Sequence, residues 1–324
     1  MNFAQTAALI RAHSRFLLTT HASPDGDGLG SEIALAGLLR SLGKTVAILN
    51  PHATPEKFQL VDPLHRIQVF SQGQVLAPAD LIFVLDTNEP RMLGEMEKPI
   101  WAMGKRVVFV DHHVPDGLSA EDHLVHEGYG ATGELIFELF EACGQNLTEE
   151  AALGIYVAIV TDTGGFRYRR TRAKTHLVAA KCLDAGVAPE GVFQKIYAQN
   201  SIGKTRLLGH LLEKVQLGVG GKMAWMEVPK KLRESYGATI EDTEAFINHL
   251  TLLEGVEIAA LYREDPDGRI KVSLRGTGVV PVVGIAQEFG GGGHHFAAGM
   301  RIEGALASVV RKINEACEKL LKGG

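Results

Sequence analysis

Val107-Val108-Phe109-Val110-Asp111-His112-His113 is the stretch around which the chain is organised. Four consecutive apolar residues predict a short strand buried on both faces, as in a parallel sheet. An Asp-His-His triplet follows at the C-terminal end of that strand. Imidazole is the commonest transition-metal ligand, and a neighbouring carboxylate can fix its tautomer. Two adjacent histidines are, alone, most often surface polar residues. The triplet gains weight because other strand and helix ends in the first half of the chain also finish in Asp or His.

Working outward, residues 15–20 predict a first strand, preceded by a helical pattern at 3–13. The strand runs into His21-Ala22-Ser23-Pro24-Asp25-Gly26-Asp27-Gly28-Leu29-Gly30-Ser31, a loop by its turn formers. Ile33, Leu35, Ala36, Leu38 and Leu39 follow at near-helical spacing, with Gly43 as a stop and a second strand at 44–49. Strand, loop, helix, strand predicts a parallel sheet with right-handed crossovers. A strand at 81–85 ends in Asp86. Helices at 131–143 and 148–160 follow, the second leading into Thr161-Asp162-Thr163-Gly164-Gly165-Phe166. In open α/β sheets, sites gather outside the carboxyl ends of the strands, which is where these acidic residues fall.

Helical patterns at 172–185 and 189–199 close this half. A boundary near Asn200 divides the chain into domains 1–200 and 201–324. In the second, 223–228 predicts a strand, and 256–263 and 269–275 a hairpin around Asp265-Pro266-Asp267-Gly268. A glycine run, Gly290 to Gly293, precedes His294-His295, and an amphipathic helix spans 305–321. The expected fold is therefore α/β, a parallel-sheet domain followed by a smaller α/β domain.

Composition sets bounds. A hydrophobic content of 45% and a charged content of 22% suit a soluble globular protein. Apolar runs such as Leu81-Ile82-Phe83-Val84-Leu85 fall far short of the roughly 20 residues of a membrane span. The N-terminus has no basic region followed by an apolar core, so no secretory signal is expected. Cys143, Cys182 and Cys317, odd in number and widely spaced, fit a reduced cytoplasm. The net charge of −5 argues against broad binding of long duplex nucleic acid. Two divalent cations would bring −5 to −1, which leaves a short phosphate substrate open.

His21, Asp25, Asp27, Asp86, His112 and Asp162 make a set of four carboxylates and two imidazoles. Mixed oxygen and nitrogen donors suit manganese, with magnesium, iron or cobalt as alternatives. Two such ions can activate water and clamp a phosphate for in-line displacement. Each residue also has a plainer role. Asp25 and Asp27 could form turns, Asp86 and Asp111 could cap helices, and Gly26-Asp27-Gly28-Leu29-Gly30 is a weak hint of dinucleotide binding whose aspartates would repel a pyrophosphate. Their joint position at one sheet edge favours a metal site.

The order His21-x-x-x-Asp25-x-Asp27, Asp86, Asp111-His112-His113 and Asp162 resembles the four motifs of the DHH phosphoesterases. Gly290-Gly291-Gly292-Gly293-His294-His295-Phe296-Ala297-Ala298-Gly299 resembles the signature of the DHH-associated domain. Nearly the whole chain is covered, and the compact bacterial nanoRNase and pAp phosphatase branch is the nearest match. The resemblance implies that His21, Asp25 and Asp86 bind one metal and that Asp27, Asp86, His112 and Asp162 bind the other, Asp86 bridging. It implies that His113 contacts phosphate and assists the leaving oxygen, that Asp111 orients the histidines, and that the site lies in a cleft between the domains. It also implies a short single-stranded RNA or nucleotide substrate, and leaves a homodimer open. Cyclic or linear dinucleotides, pyrophosphate or polyphosphate, and a non-catalytic nucleotide sensor are the alternatives.

In the second domain, backbone amides of Gly291, Gly292 and Gly293 could form an anion nest, with His294 or His295 alongside. The family's nanoRNase-like members often carry proline where His295 stands, so which histidine faces ligand stays open. Arg263 and Arg275, near opposite ends of the hairpin, could reach the same phosphate. Arg167, Arg169, Arg170, Arg172 and Lys174 form a basic run that is either a solvated face or a guide for a short oligonucleotide. Tyr168 and Phe296 could stack on a base, Phe296 being the better candidate for core packing.

Overall fold

The computed structural model describes residues 1–114, 122–278 and 280–323. The chain divides into two compact units, Met1–Gln199 and Asn200–Gly324. In the first, α1 (Phe3–Ala12), β1 (Arg15–Thr20), α2 (Gly26–Ser41), β2 (Thr45–Asn50), β3 (Ile67–Val69) and β4 (Leu81–Leu85) are followed by α3 (Glu97–Ala102), β5 (Arg106–Asp111) and β6 (Leu124–Val125). Four helices complete it: α4 (Thr132–Cys143), α5 (Glu149–Asp162), α6 (Ala173–Asp184) and α7 (Pro189–Ile196). The strands lie in the order β3-β2-β1-β4-β5-β6, all parallel. The chain thus winds one way from β1 and the other way from β4, and these two strands are neighbours. That is a topological switch point, where strand ends diverge and leave a crevice.

Both faces of this sheet are covered, which is why its central strands are continuous apolar runs. On one face Phe16, Leu18 and Phe83 pack under Leu29, Ile33, Ile155 and Ile159 of α2 and α5. On the other, Leu17, Ile82, Val84 and Phe109 meet Ile100 of α3. Helices α2 and α5 cross through glycines. A Cβ on Gly30 would stand 2.2 Å from the carbonyl oxygen of Gly154, and one on Gly154 would stand 2.4 Å from that of Gly30. No side chain fits there, so the two backbones are in direct contact.

One expectation about this unit needs correction. The segment following Asp25 is not loop: α2 begins at Gly26. Asp25 is its cap, its carboxylate accepting from the amides of Asp27 and Gly28. Gly26 and Gly28 serve close packing rather than backbone freedom, since a Cβ at Gly28 would lie 2.3 Å from Thr20 Oγ1 and one at Gly26 would lie 2.6 Å from Thr161. Composition suggested a turn where the neighbouring chains required glycine. Asp162, for its part, is the last residue of α5.

The second unit contains α8 (Ile202–Glu213), β7 (Gln216–Gly218), β8 (Met223–Val228), α9 (Lys230–Ser235), α10 (Ile247–Leu250), β9 (Ile258–Glu264), β10 (Ile270–Gly276), α11 (Val283–Glu288), β11 (Gly292–His294), β12 (Ala297–Ile302) and α12 (Leu306–Gly323). Its sheet runs β11-β12-β10-β9-β8-β7, with β8 and β9 parallel and the other neighbours antiparallel. Val309, Ile313 and Cys317 of α12 seal one face against Ile258, Tyr262 and Val272. Among the described residues no helix is long and apolar enough to cross a membrane.

The glycine run is also more ordered than a four-amide nest allows. The amides of Gly290 and Gly291 donate to the carbonyls of Gln287 and Ala286 at the end of α11, and Gly292 to His294 pair with β12. A Cβ on Gly291 would meet Gly299 O at 2.3 Å, and one on Gly293 would meet Ala297 O at 2.5 Å. These glycines let an edge strand lie tightly on its neighbour.

Candidate metal centre

Six of the eight candidate residues of the first unit are delivered by the ends of β1, β4 and β5. His21 and Asp25 follow β1, Asp86 follows β4, and Asp111, His112 and His113 end β5. Asp27 comes from the first turn of α2 and Asp162 from the last residue of α5. Three groups of donors lie close enough to share an ion, each within 4.8 Å: His21 with Asp25 and Asp86; Asp27 with His112 and Asp162; and Asp86 with Asp111, His112 and His113.

The two candidate ligand histidines, His21 and His112, are oriented alike. His21 Nδ1 lies 2.9 Å from the Ala22 carbonyl, and His112 Nδ1 lies 3.2 Å from the Tyr129 carbonyl. A carbonyl only accepts, so each Nδ1 carries the proton and each Nε2 faces the carboxylates. His112 Nε2 stands 3.3 Å from Asp162, 3.5 Å from Asp27 and 3.8 Å from Asp86. It is buried and has no hydrogen-bond partner. A lone pair aimed at three carboxylates is repulsive unless a cation lies between them. Two donors at about 2.1 Å from one ion are separated by roughly 3.0–3.4 Å, close to what is seen. The donor set therefore fits a divalent cation.

Electrostatics gives the same answer. Burial, then Asp86, Asp162 and Asp25, push the Asp27 carboxyl well above the usual range. Burial and the same crowding push Asp162 up to about 7. Burial opposes a charge on His21, yet Asp25 and Asp86 outweigh it and hold its proton up to about 11. The carboxylates call for positive charge, and a bound ion supplies it. Burial holds His112 below its ordinary value, which favours the neutral imidazole, the form that can ligate a metal. Asp86 sits in the left-handed region, φ 62°, uncommon for a non-glycine residue. Its carboxylate is thereby set between His21, at 3.6 Å, and His112.

His113 is held differently. Its Nδ1 meets Asp111 Oδ1 at 2.8 Å, and this buried carboxylate, overcoming the cost of burial, raises the imidazole to about 9. Asp111 is itself braced by Asn88. His113 is thus a proton donor at neutral pH, unlike His112 beside it, though the rings are 4.4 Å apart.

Several partners were not legible as site residues. The amides of Thr132 and Gly133 donate to Asp27 at 2.7 and 2.9 Å, and the Thr132 hydroxyl donates to Asp86 at 3.0 Å. The positive end of α4 thus grips one carboxylate directly. The signal was Gly130-Ala131-Thr132-Gly133, small residues opening a helix. Arg170 reaches the His112 carbonyl at 3.4 Å.

In the second unit, Arg263, Lys271, Ser273 and Arg275 line one pocket with Glu244, Leu261, Ala298 and Gly299. Sheet register explains it: Lys271 lies opposite Arg263 and Ser273 opposite Leu261, so alternate residues share a face. Arg263 is buried and braced by Asp265 at 2.8 Å and by Ile240 O and Thr243 Oγ1. His295 accepts from the Val282 amide through its carbonyl. The side chain of His294 lies outside the described residues.

Comparison with known proteins places this geometry. Residues 15–159 match the model of the DHH family, N-terminal domain, and residues 220–323 match the DHHA1 domain. A bifunctional oligoribonuclease and PAP phosphatase NrnA of Thermus thermophilus is 30% identical over 95% of this chain and 90% of its own length. The protein of that name from Bacillus subtilis is 26% identical over 90% of this chain and 91% of its own. A crystal structure of an exopolyphosphatase-related protein from Bacteroides fragilis superimposes with a TM-score of 0.91 at 28% identity, covering 98% and 96% of the two chains. With its metal-binding motifs drawn together at the switch point of a parallel sheet, the chain belongs to the DHH phosphoesterase family.

Proposed function

We propose that this protein hydrolyses very short RNA, and the 3′-phosphate of adenosine 3′,5′-bisphosphate, with two divalent cations, manganese foremost. His21, Asp25 and Asp86 would hold one ion; Asp27, Asp86, His112 and Asp162 would hold the other, Asp86 bridging. The observation that carries this reading is the buried, unpartnered Nε2 of His112 facing three carboxylates. The names of the NrnA relatives support the substrate class. When bound, such ions lower the pKa of water and neutralise charge on a phosphate.

The chain's own residues do the rest. The α4 amides fix Asp27, and the paired Nδ1–carbonyl contacts fix His21 and His112. As the oxygen of a water that has given a proton to solvent bonds to phosphorus and the bond to the leaving oxygen breaks, protonated His113 would give its proton to that oxygen and regain one from solvent, Asp111 stabilising the imidazolium. In the second unit, Arg263, Lys271 and Arg275 would hold a substrate phosphate, with Gly292 and Gly293 of β11 and His295 in the turn after it. Lys271, held below its ordinary value by burial and by Arg301 and Arg263, is short of a counter-anion.

The test is a manganese-dependent time course on RNA of two to about 24 nucleotides, adenosine 3′,5′-bisphosphate, a cyclic dinucleotide and pyrophosphate. Turnover of dinucleotides through pentanucleotides, lost in Asp86→Ala and His113→Ala, is the expected result. The likeness to an exopolyphosphatase-related protein favours a second reading, polyphosphate hydrolysis. Cleavage of pyrophosphate with no nucleotide turnover would establish that one instead.

A further inference from the structure

The basic run after Asp162 is only partly solvated surface. Lys174 is taken up by Glu138 at 2.5 Å and by the Tyr129 ring. Arg167, Arg169 and Arg170 are exposed, and among the described residues none of them forms an ion pair. Arg170 stands at the metal site, its guanidinium on the His112 carbonyl and its charge felt by Asp162.

Interleaved with these cations are aromatic rings in water. Tyr168 is 54% exposed, and a Cβ on Gly164 would stand 2.5–2.7 Å from three of its ring carbons. One side of the phenol therefore rests on bare backbone while much of the ring remains open. The loop beneath it is fixed: the amides of Arg167 and Tyr168 both donate to Thr163 O, and the Phe166 amide donates to Thr163 Oγ1. Tyr197 is 42% exposed, and its hydroxyl donates to Val160 O, two residues before Asp162. Phe193, one turn earlier on α7, is 56% exposed with its ring centroid 5.8 Å from that of Tyr197. Val192 and Ile196 fill the buried side of α7, which leaves the Phe193 ring outside the core, while Tyr197 is tied to the fold through its hydroxyl. Lys195 adds an exposed cation on the same short helix that, among the described residues, forms no ion pair.

Exposed aromatics with arginines that, among the described residues, form no ion pair are the elements of a single-strand platform. Stacking takes any base, and each base contributes about 1–3 kcal/mol. We infer that Tyr168, Tyr197 and Phe193, flanked by Arg167, Arg169 and Arg170, form a track that leads single-stranded RNA away from the metal centre. The inference rests on the proposed nuclease activity. Nucleotides next to the scissile bond meet Arg170 and Tyr168, and further bases meet Tyr197 and Phe193. A dinucleotide reaches only the start of the track, whereas a pentanucleotide spans it.

The experiment compares kcat/KM for a pentanucleotide with that for a dinucleotide in wild type, Tyr168→Ala, Tyr168→Phe and Phe193→Ala. The pentanucleotide-to-dinucleotide ratio should fall about 5- to 150-fold in Phe193→Ala, the fold-change of one lost stack, and Tyr168→Phe should restore what Tyr168→Ala loses. Binding of a phosphorothioate-linked pentanucleotide should show a log Kd against log salt slope smaller by about 0.7 in Arg169→Gln. A purely structural role would not move that slope. If wild type cleaves both lengths and every variant leaves the ratio and the slope unchanged, the track is refuted while the nuclease reading stands. If wild type cleaves no oligonucleotide, both fall. If Phe193→Ala converts a dimer to a monomer by light scattering without changing the ratio, the surface joins copies of the chain and the inference is overturned.

Discussion

Asp111 faces His113 Nδ1 at 2.8 Å from inside the protein, with its own second oxygen held by Asn88. This pair holds a proton on His113, while burial lowers the pKa of His112, its chain neighbour.

Replacing Asp111 by Asn should therefore lower the His113 pKa from about 9, because the carboxylate that overcomes the cost of burial is removed. Proton NMR titration of the metal-free protein would read this directly. Turnover should fall roughly 10- to 100-fold, as for other groups that orient site histidines.

Asp162→Asn separates metal binding from folding. In the metal-free protein the Asp162 carboxyl is raised to about 7 by burial and by Asp86 and Asp25. A raised folded pKa means stability present below the unfolded value, near 3.8, and lost as pH climbs through 7. The variant should thus melt higher than wild type at pH 8 in chelator. It should also gain less from manganese, whereas wild type gains about 2.7 kcal/mol at a hundred times Kd. Paired thermal melts decide it; an unaltered manganese gain would remove Asp162 from the ligand set.

Behind the site, Glu32 of α2 is fully buried and takes one hydrogen bond, from Asn50 Nδ2, while its Oε1 has no partner. Burial raises its pKa to about 8. Its contribution is therefore fully present below about 4.5 and is lost as pH rises through 8. Glu32→Gln should flatten this loss, by an amount on the order of a few kcal/mol between pH 5 and pH 9. Urea denaturation at the two pH values measures it.

The backbone contact of Gly30 with Gly154 allows no side chain. Gly30→Ala should cost about 1–3 kcal/mol or more by overpacking. Manganese affinity should weaken as well, since α2 and α5 carry Asp27 and Asp162. Denaturation and calorimetric titration would show both losses; an unweakened affinity would mean that the helices can separate without moving their ligands.

The centre of the first unit was legible in the sequence because β1, β4 and β5 are buried on both faces, whereas the short β3 and β6 carry no such run. Its acidic residues stood out because carboxylates rarely close apolar runs without a reason. The start of α2 was not legible. Gly26, Gly28 and Gly30 look like turn formers until Thr20, Thr161 and Gly154, distant in sequence, are seen pressing on them. Thr132 was hidden for a similar reason, since its amide and hydroxyl meet Asp27 and Asp86, which are distant in sequence, and the small residues opening α4 are the only local signal. In the second unit, β11 is three residues long, and its pairing with β12 depends on contacts that local periodicity does not carry.

The proposed ligand set is also dispersed along the chain, from His21 to Asp162, in a sequence of 324 residues. During synthesis, a chain emerging N-terminus first cannot complete the centre until half of it has been made. Before then, β1, β4 and β5 can pair, but the three carboxylates Asp25, Asp27 and Asp86 lack the fourth, Asp162 of α5. The nascent first unit thus has to find its parallel strand order by apolar burial alone, and a cation can reward only the finished arrangement.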